Sequence, residues 1–476
     1  MDNLEDNLEN QEDASTERSV NFIARIGTAC HRFSMKYTPD ASVFTIGLTL
    51  AALLLGIALA KRTPLQMIEY WGQGFWELLT FAMQMSLIII TGSAVAHSPL
   101  MKRLIRWLAA SPMTGRQAVW LISMISILIS YLHWGLSLII GALLAREMAK
   151  QLRLRKIPFE YSLIAAGGYL GLMTYPGMLS ASVGLSIATP GHFLEAEMGI
   201  VPMSHYMDNF TNIFVTVAFL MLTPMIAALM HPADEDFAPM EGLTPMDPET
   251  LRLLDTEDVP IAKRPKNPSM GDRLTYSRTI AWCTGLLGMF YACHVFAKRG
   301  FTALDINMVN FIFMFLGILL YRDPASYVRA VRAAASGASG VILQFPFYAG
   351  IMGMIHYSGL VDILTAGIVS ISNETTFYLW TFLSSSMINL FVPSGGGQWT
   401  LQGPAVVASA KLMDADLVKA SLMVAYGDAW TNMIHPFWAI ALLDLTDLKA
   451  KDIMGYTTAI MLCTGVVFLI AAFLPM

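Results

Sequence analysis

Long uncharged runs dominate the chain, and their lengths identify the elements. A hydrocarbon core about 30 Å thick is crossed by about 20 predominantly apolar residues in a helix. Runs that meet this measure lie at 42–60, 78–97, 117–148, 160–190, 209–231, 280–297, 303–321, 338–357, 376–410, 419–446 and 455–474. Two of them, 117–148 and 376–410, are too long for one helix. Each is interrupted near its middle, the first by Tyr131-Leu-His-Trp-Gly135 and the second by Val392-Pro-Ser-Gly-Gly-Gly-Gln-Trp399.

The flanking charges orient these segments, because cytoplasmic loops carry the excess of Lys and Arg. Lys102, Arg103, Arg106 and Arg116 precede 117–148, and Arg146, Lys150, Arg153, Arg155 and Lys156 follow it. Both flanks are thus expected inside, which makes the segment a re-entrant hairpin with its tip near His133. Residues 358–375 contain no Lys or Arg, and only Lys411 and Lys419 follow 376–410. That second hairpin is expected to enter from outside. Loop 191–208 has no base, whereas 322–332 has Arg322, Arg329 and Arg332, and 447–452 has Lys449 and Lys451. Lys61-Arg62 and Lys298-Arg299 fall on the opposite side, as short boundary pairs that snorkel.

The expected architecture is an all-α polytopic membrane protein of about nine transmembrane helices plus two re-entrant hairpins. Its order repeats: two spans, a hairpin and two spans occur at 42–231 and again, with opposite orientation, at 303–476. Tyr169 and Thr174 of the first copy align with Tyr426 and Thr431 of the second. Inverted repeats with discontinuous helices characterise secondary transporters. The remaining divisions are an acidic tail with an amphipathic lead-in at 1–41, a linker at 232–279 and a connecting helix at 280–302. The linker is proline-rich and carries Lys263-Arg-Pro-Lys266, a solvated loop or a contact for anionic headgroups.

Composition confirms the class. Of 476 residues, 55% are hydrophobic and 14% charged, against about a quarter charged in an ordinary soluble domain. Mean hydropathy is +0.54. A soluble enzyme, a disordered scaffold and a disulfide framework are excluded. The net charge of −5 resides in the first 17 residues, which hold seven acids and no base. No cleavable signal peptide is evident there, so the first apolar span is expected to direct insertion. Cys30, Cys283, Cys293 and Cys463 show no metal-binding spacing. No Walker motif, HExxH or nucleotide fingerprint occurs, and no nucleophile–base pair points to an enzyme.

Candidate chemistry concentrates at the interruptions, since irregular backbone at membrane depth survives only beside protein or a wet cavity. Ser394, Gly395, Gly396 and Gly397 read as a turn opening a returning half-helix. Its N–H groups and dipole suit an anion; a glycine hinge is the alternative. Gln398 and Gln402 follow on the same arm, and His133, Trp134 and Gly135 occupy the corresponding tip of the first hairpin. Overlong spans carry breaks of their own: Thr174-Tyr-Pro-Gly177 with Ser180 and Ser182, and Tyr426-Gly-Asp428-Ala-Trp-Thr-Asn432 with His435-Pro436. A carboxylate in a membrane segment is a functional candidate by default, so Asp428, with Thr431 and Asn432, is assigned to ion coupling; the alternative is pairing with His435 or Asn432. The candidate substrate-binding set is His133, Trp134, Gly135, Thr174, Ser180, Ser394–Gly397, Gln398 and Gln402. Residues 157–251 and 333–410 contain no Lys or Arg. An anion held there meets dipoles, hydroxyls and amides, which suits a small monocarboxylate better than a phosphate ester. Trp399, Trp430 and Phe437 are placed to cover a short alkyl chain.

Several stretches resemble the short-chain fatty acid transporter family. They include Trp71-Gly-Gln-Gly-Phe-Trp76, Phe81-Ala-Met-Gln-Met85, His133-Trp-Gly135, Ala188-Thr-Pro-Gly191 and Gln344-Phe-Pro-Phe-Tyr-Ala-Gly350. Val392-Pro-Ser-Gly-Gly-Gly397, Gln402-Gly-Pro404 and Asp452-Ile-Met-Gly-Tyr456 continue the likeness, which covers roughly residues 25–476. Two departures are His133, where Asn is common, and Tyr175, where Trp is. The resemblance implies secondary active uptake of acetoacetate, butyrate and similar monocarboxylates across a bacterial inner membrane by an elevator-type movement. It also implies symport with Na⁺ or H⁺, leaving Na⁺ as a possible coupling ion and no other cofactor. Expected partners are the substrate and the lipid bilayer, with a homodimer possible and no nucleic acid. The rival readings are a channel or facilitator for small anions and a dicarboxylate or other organic-anion transporter.

Overall fold

The computed structural model describes residues 22–37, 41–132, 134–188, 192, 194–232, 265, 267–303, 306–393 and 395–476. His133 and Ser394, the acidic tail and most of the linker lie outside the described residues. Among those described, every regular element is helical.

After α1 (Phe22–Tyr37), the first half runs through α2 (Ala41–Ala58), α3 (Pro64–Gly74), α4 (Leu79–Ala96) and α5 (Pro99–Ala110). The helix pair α6 (Gly115–Leu132) and α7 (Trp134–Leu154) follows, then a broken stretch of α8 (Tyr161–Tyr169), α9 (Gly171–Thr174) and α10 (Ser182–Ile187). Short α11 (Glu195–Met198) and α12 (Met203–Met207) lead to α13 (Phe210–Leu229). Two linking helices, α14 (Met270–Thr275) and α15 (Arg278–Arg299), precede the second half. It comprises α16 (Ile306–Tyr321), α17 (Pro324–Ala334), α18 (Ser339–Ser358), α19 (Leu360–Val369), the pair α20 (Phe377–Asn389) and α21 (Gly395–Leu412), then α22 (Leu417–Thr431), α23 (Pro436–Thr446) and α24 (Ala450–Phe473).

The sequence reading left α3, α5, α17 and α19 as loops, because each is too short or too polar to count as a span. Local signals account for two of them. Thr63 caps α3 in a capping box with Gln66 and Pro64 opens the helix, while Asp323 caps α17 ahead of Pro324. These two helices pack across the halves, α3 on α18 and α17 on α4.

By length and composition, five described stretches can cross a membrane: α6, residues 161–187, α13, α15 and α24. Thr45–Ala58, Ala82–Val95, Asn310–Tyr321 and Pro436–Thr446 are apolar but shorter. The first hairpin arm, α6, is therefore itself of spanning length, about 27 Å at 1.5 Å per residue. Lipid-facing surface is plain on α15, where Trp282, Leu286, Leu287 and Phe290 are exposed. The broken helices form the interior, with every residue of α8 and α9 buried.

Close crossings rest on glycine, as expected where van der Waals packing rather than water exclusion joins helices. A Cβ on Gly141 of α7 would lie 2.4 Å from the Gly168 carbonyl oxygen of α8, and one on Gly427 of α22 would lie 2.4 Å from the Phe382 carbonyl of α20. Each hairpin is thereby pressed onto the broken helix that follows it. Gly141→Ala should consequently destabilise the detergent-solubilised protein by about 1–3 kcal/mol, the usual cost of overpacking. Gly47→Ala, whose Cβ would meet nothing within 4 Å, should leave the thermal midpoint in place. Equal midpoints for the two variants would show that the crossing is loose.

Candidate functional site

The second break begins where α22 ends. Pro436 carries no N–H for the preceding turn, so the helix stops at Thr431, passes through a single 3₁₀ turn and restarts at Pro436. Carbonyls opened in this way must find donors, because no lipid can supply one. Tyr169 OH donates to the Asn432 carbonyl at 2.9 Å and Thr457 Oγ1 to the Met433 carbonyl at 2.5 Å, while Asn389 Nδ2 adds a second donor, at 2.7 Å, to the Asp428 carbonyl that the Asn432 N–H already bonds. The restarted helix is capped by His435, whose Nδ1 accepts from the Phe437 N–H at 3.1 Å. His435 Nδ1 is thus committed to the cap.

The first break is capped in the same manner. Asn212 of α13 donates to the Gly177 carbonyl at 2.8 Å, while its Oδ1 accepts from Tyr426 OH at 2.8 Å. A Cβ on Gly177 would fall 1.6 Å from that Oδ1, so the amide needs a glycine beneath it. Ser130 of α6 lies 3.2 Å from the Thr174 hydroxyl, and its carbonyl accepts from Ser180 at 2.9 Å. Ser180 in turn accepts the Trp134 N–H at 3.2 Å. Thr174, Ser180 and Trp134, three of the residues expected at the site, therefore meet at the first hairpin tip, with Gly135 buried beside them.

The two halves join at Gly395, the first residue of α21. A Cβ there would lie 3.2 Å from Asp428 Oδ2, 3.4 Å from the Tyr175 hydroxyl and 3.6 Å from Ser182 Cβ. Tyr175 and Ser182 approach each other there. Asp428 is 2% exposed; among the described residues its Oδ1 has no hydrogen-bond partner, and the carboxylate lies beside the Asn432 side chain. The N-terminal end of α21 thus faces a carboxylate across the break of the other half. Ser182, Gly396 and Gly397 are only partly buried, which leaves a crevice between α10 and α21. A Cβ on Gly396 would meet only Ser182 Cβ, at 3.9 Å.

Other expected residues serve different ends. Gln398 Nε2 donates to the Ser385 carbonyl at 2.9 Å and to Gln402 Oε1 at 3.0 Å, and Gln402 Nε2 donates to Ser384 Oγ at 3.0 Å. Both amides fasten α21 to α20, and the structure does not bring them to the Gly395 junction. Thr431 Oγ1 donates to the Ser386 carbonyl at 2.9 Å, and both it and Asn432 Oδ1 accept from Asn389 at 3.0 Å. Trp399 is sealed at 0% exposure, and Trp430 donates to the Met461 carbonyl at 2.9 Å. Tyr169, Asn212, Asn389 and Thr457 went unassigned in the sequence. Only Tyr169 left a signal, through its alignment with Tyr426. Among the described residues, no three His, Cys, Asp or Glu side chains converge as a metal site would require.

Comparison with known proteins agrees with this picture. The family model described as Short chain fatty acid transporter matches residues 22–474. A protein of Escherichia coli (strain K12) named "Putative short-chain fatty acid transporter" is 39% identical over 450 residues, 94% of this chain and 99% of its own length. A protein of the same name from Haemophilus influenzae (strain ATCC 51907 / DSM 11121 / KW20 / Rd) is 35% identical over 458 residues, covering 95% and 99%. Among solved structures, the Alcanivorax borkumensis YdaH transporter aligns over 91% of this chain and 97% of that chain, with 16% identity and a TM-score of 0.38.

The capping hydroxyls give a paired prediction. Tyr169→Phe leaves the Asn432 carbonyl with only the long 3.4 Å bond from the His435 N–H and should cost about 1 kcal/mol, the usual worth of one buried hydrogen bond. Among the described residues the buried Tyr206 hydroxyl has no hydrogen-bond partner, so Tyr206→Phe should be neutral or stabilising. Thermal unfolding of the purified variants decides; the opposite order would contradict the capping role.

Proposed function

The chain belongs to the short-chain fatty acid transporter family, and from that membership we propose that it is a secondary active transporter of acetoacetate, butyrate and similar monocarboxylates. It resides as a multi-pass protein in a bacterial inner membrane, and uptake is coupled to Na⁺ or H⁺. The observation that carries this reading is the Gly395 junction, where a helix N-terminus, two hydroxyls and a carboxylate share one partly open crevice. The helix end and the hydroxyls suit a single carboxylate, and the absence of Lys and Arg from 157–251 and 333–410 disfavours a more highly charged anion.

Asp428 would repel such a substrate unless a cation or proton shares the pocket. A proton would sit on the carboxylate itself. Na⁺ would share Asp428 with oxygens of Thr431 and Asn432, since hard cations take oxygen ligands. The order of elements supports an inverted repeat of 42–231 and 303–476, as does the reciprocal packing of α7 on α23 and α10 on α21. An elevator movement and a homodimer rest on the family resemblance.

Purified protein in liposomes should accumulate butyrate or acetoacetate saturably when an inward Na⁺ or H⁺ gradient is imposed. Flux that neither saturates nor follows a gradient would make the protein a channel. Asp428→Asn should lower gradient-driven accumulation at least tenfold while counterflow exchange persists if protonation is the coupling step. Accumulation equal to the parent under every gradient would remove Asp428 from coupling. Gly395→Ala should impair uptake more than Gly396→Ala, in line with their different clearances. For the topology, cysteines placed at the exposed Ser204 and Glu374 should label from outside, and those at Ser111 and Ser269 only from inside. Labelling of position 374 from the cytoplasm alone would rule out the inverted repeat.

A further inference from the structure

An alkyl carboxylate needs apolar surface continuous with the place that holds its charge. At the Gly395 junction, among the described residues, Tyr175 links the polar junction to an aromatic neighbour. Its hydroxyl lies beside Gly395 and Ser182, and its ring faces Trp134 at a centroid distance of 6.3 Å. Trp134 in turn meets Trp438 edge-on at 4.8 Å. The three rings come from separate elements, the tip of the first hairpin, the first break and α23, and form a strip leading away from the polar junction.

Residual exposure separates this strip from the aromatic packing around it. Trp134, Tyr175 and Trp438 keep 7%, 5% and 6% of their surface, whereas Phe345, Tyr348 and Phe437 keep 1%, 0% and 2%. The latter form a closed floor: Phe437 stacks on Phe345 at 4.5 Å, meets Tyr348 edge-on at 4.6 Å, and abuts Trp438 at 4.9 Å. Trp399 and Trp430, expected from the sequence to cover the chain, are sealed or hydrogen-bonded elsewhere.

We propose that Trp134, Tyr175 and Trp438 form the wall for the substrate's alkyl chain, with Trp438, backed by the Phe437 floor, setting its maximum length. This rests on the transport reading above. Tyr175 turns the chain from the carboxylate end toward the indoles, as its polar tip and apolar ring allow. Burying one more methylene is worth roughly fourfold in affinity, so room for two more changes preference by about an order of magnitude.

The test is inhibition of butyrate uptake in liposomes by acids of two to eight carbons, with the parent, Trp438→Leu and Trp438→Phe. Trp438→Leu should raise the potency of hexanoate relative to butyrate about tenfold, and Trp438→Phe by a smaller factor in the same direction. A merely structural tryptophan would lower the maximal rate for all acids alike and leave their ranking unchanged, and that result overturns the proposal. Should Trp438→Leu not reach the membrane, an unchanged ranking in Trp438→Phe overturns it as well. Failure of the parent to take up any of these acids would instead bring down the transport reading, and the proposal with it.

Discussion

The constraint on which the structure depends is the satisfaction of backbone carbonyls at two helix breaks inside a membrane. An unpaired carbonyl there has no water to turn to, and each costs several kcal/mol in hydrocarbon. The chain solves this with side-chain donors, each brought from another element. Asn389 serves the Asp428 carbonyl, Tyr169 that of Asn432, Thr457 that of Met433 and Asn212 that of Gly177. The second break is held by donors on three other helices and the first by one on a fourth, so neither can be moved alone. The hairpins, the broken helices and the helices behind them are consequently linked mechanically at the level of single hydrogen bonds.

The two repeat-related tyrosines show how this linkage crosses between halves. Tyr169 on α8 reaches the second break directly, and Tyr426 on α22 reaches the first through Asn212. Each broken helix thus supports the break of the other. Glycine at Gly141, Gly168 and Gly427 makes this possible, because the hairpin arms must approach to near backbone contact before such short side chains can span the gap. Hydroxyls fill the same interfaces: Ser126 lies 2.8 Å from Ser137 across the first hairpin, and Ser385 donates to the Val424 carbonyl at 2.6 Å beside the second.

The breaks left a trace in the sequence because Pro has no N–H to give the preceding turn, although Pro224, Pro346 and Pro404 stand inside continuous helices. Thr174-Tyr-Pro-Gly177 occurs as an irregular turn, whereas Tyr426–Thr431, read as part of the second break, is regular helix, and that break falls later, at Asn432–His435. What remained hidden was the origin of the donors. Tyr169 and the Asn432 carbonyl it satisfies are 263 positions apart, and no local pattern marks such a pair. For the same reason Gln398 and Gln402 looked like ligand groups, as buried amides beside a glycine turn, although their partners are serines on the neighbouring arm. The short helices α3, α5, α17 and α19 lack the length that marks a span, and the capping residues of α3 and α17 weigh little without an apolar run.

The location of Asp428 follows from the same economy of charge. In an interior with no Lys or Arg along 157–251 or 333–410, the favourable neighbours for a carboxylate are the N-terminal end of α21 and the hydroxyl at Tyr175. Both lie against it at Gly395. On the proposed reading, a substrate carboxylate would seek the same helix end, because one positive pole of about half a unit charge is the strongest attraction for an anion in this crevice. Asp428 and substrate therefore compete for a single dipole. On the same proposed reading, neutralising Asp428, by a proton or by a bound cation, would release the helix end to the substrate and so tie arrival of the ion to arrival of the acid without a basic side chain.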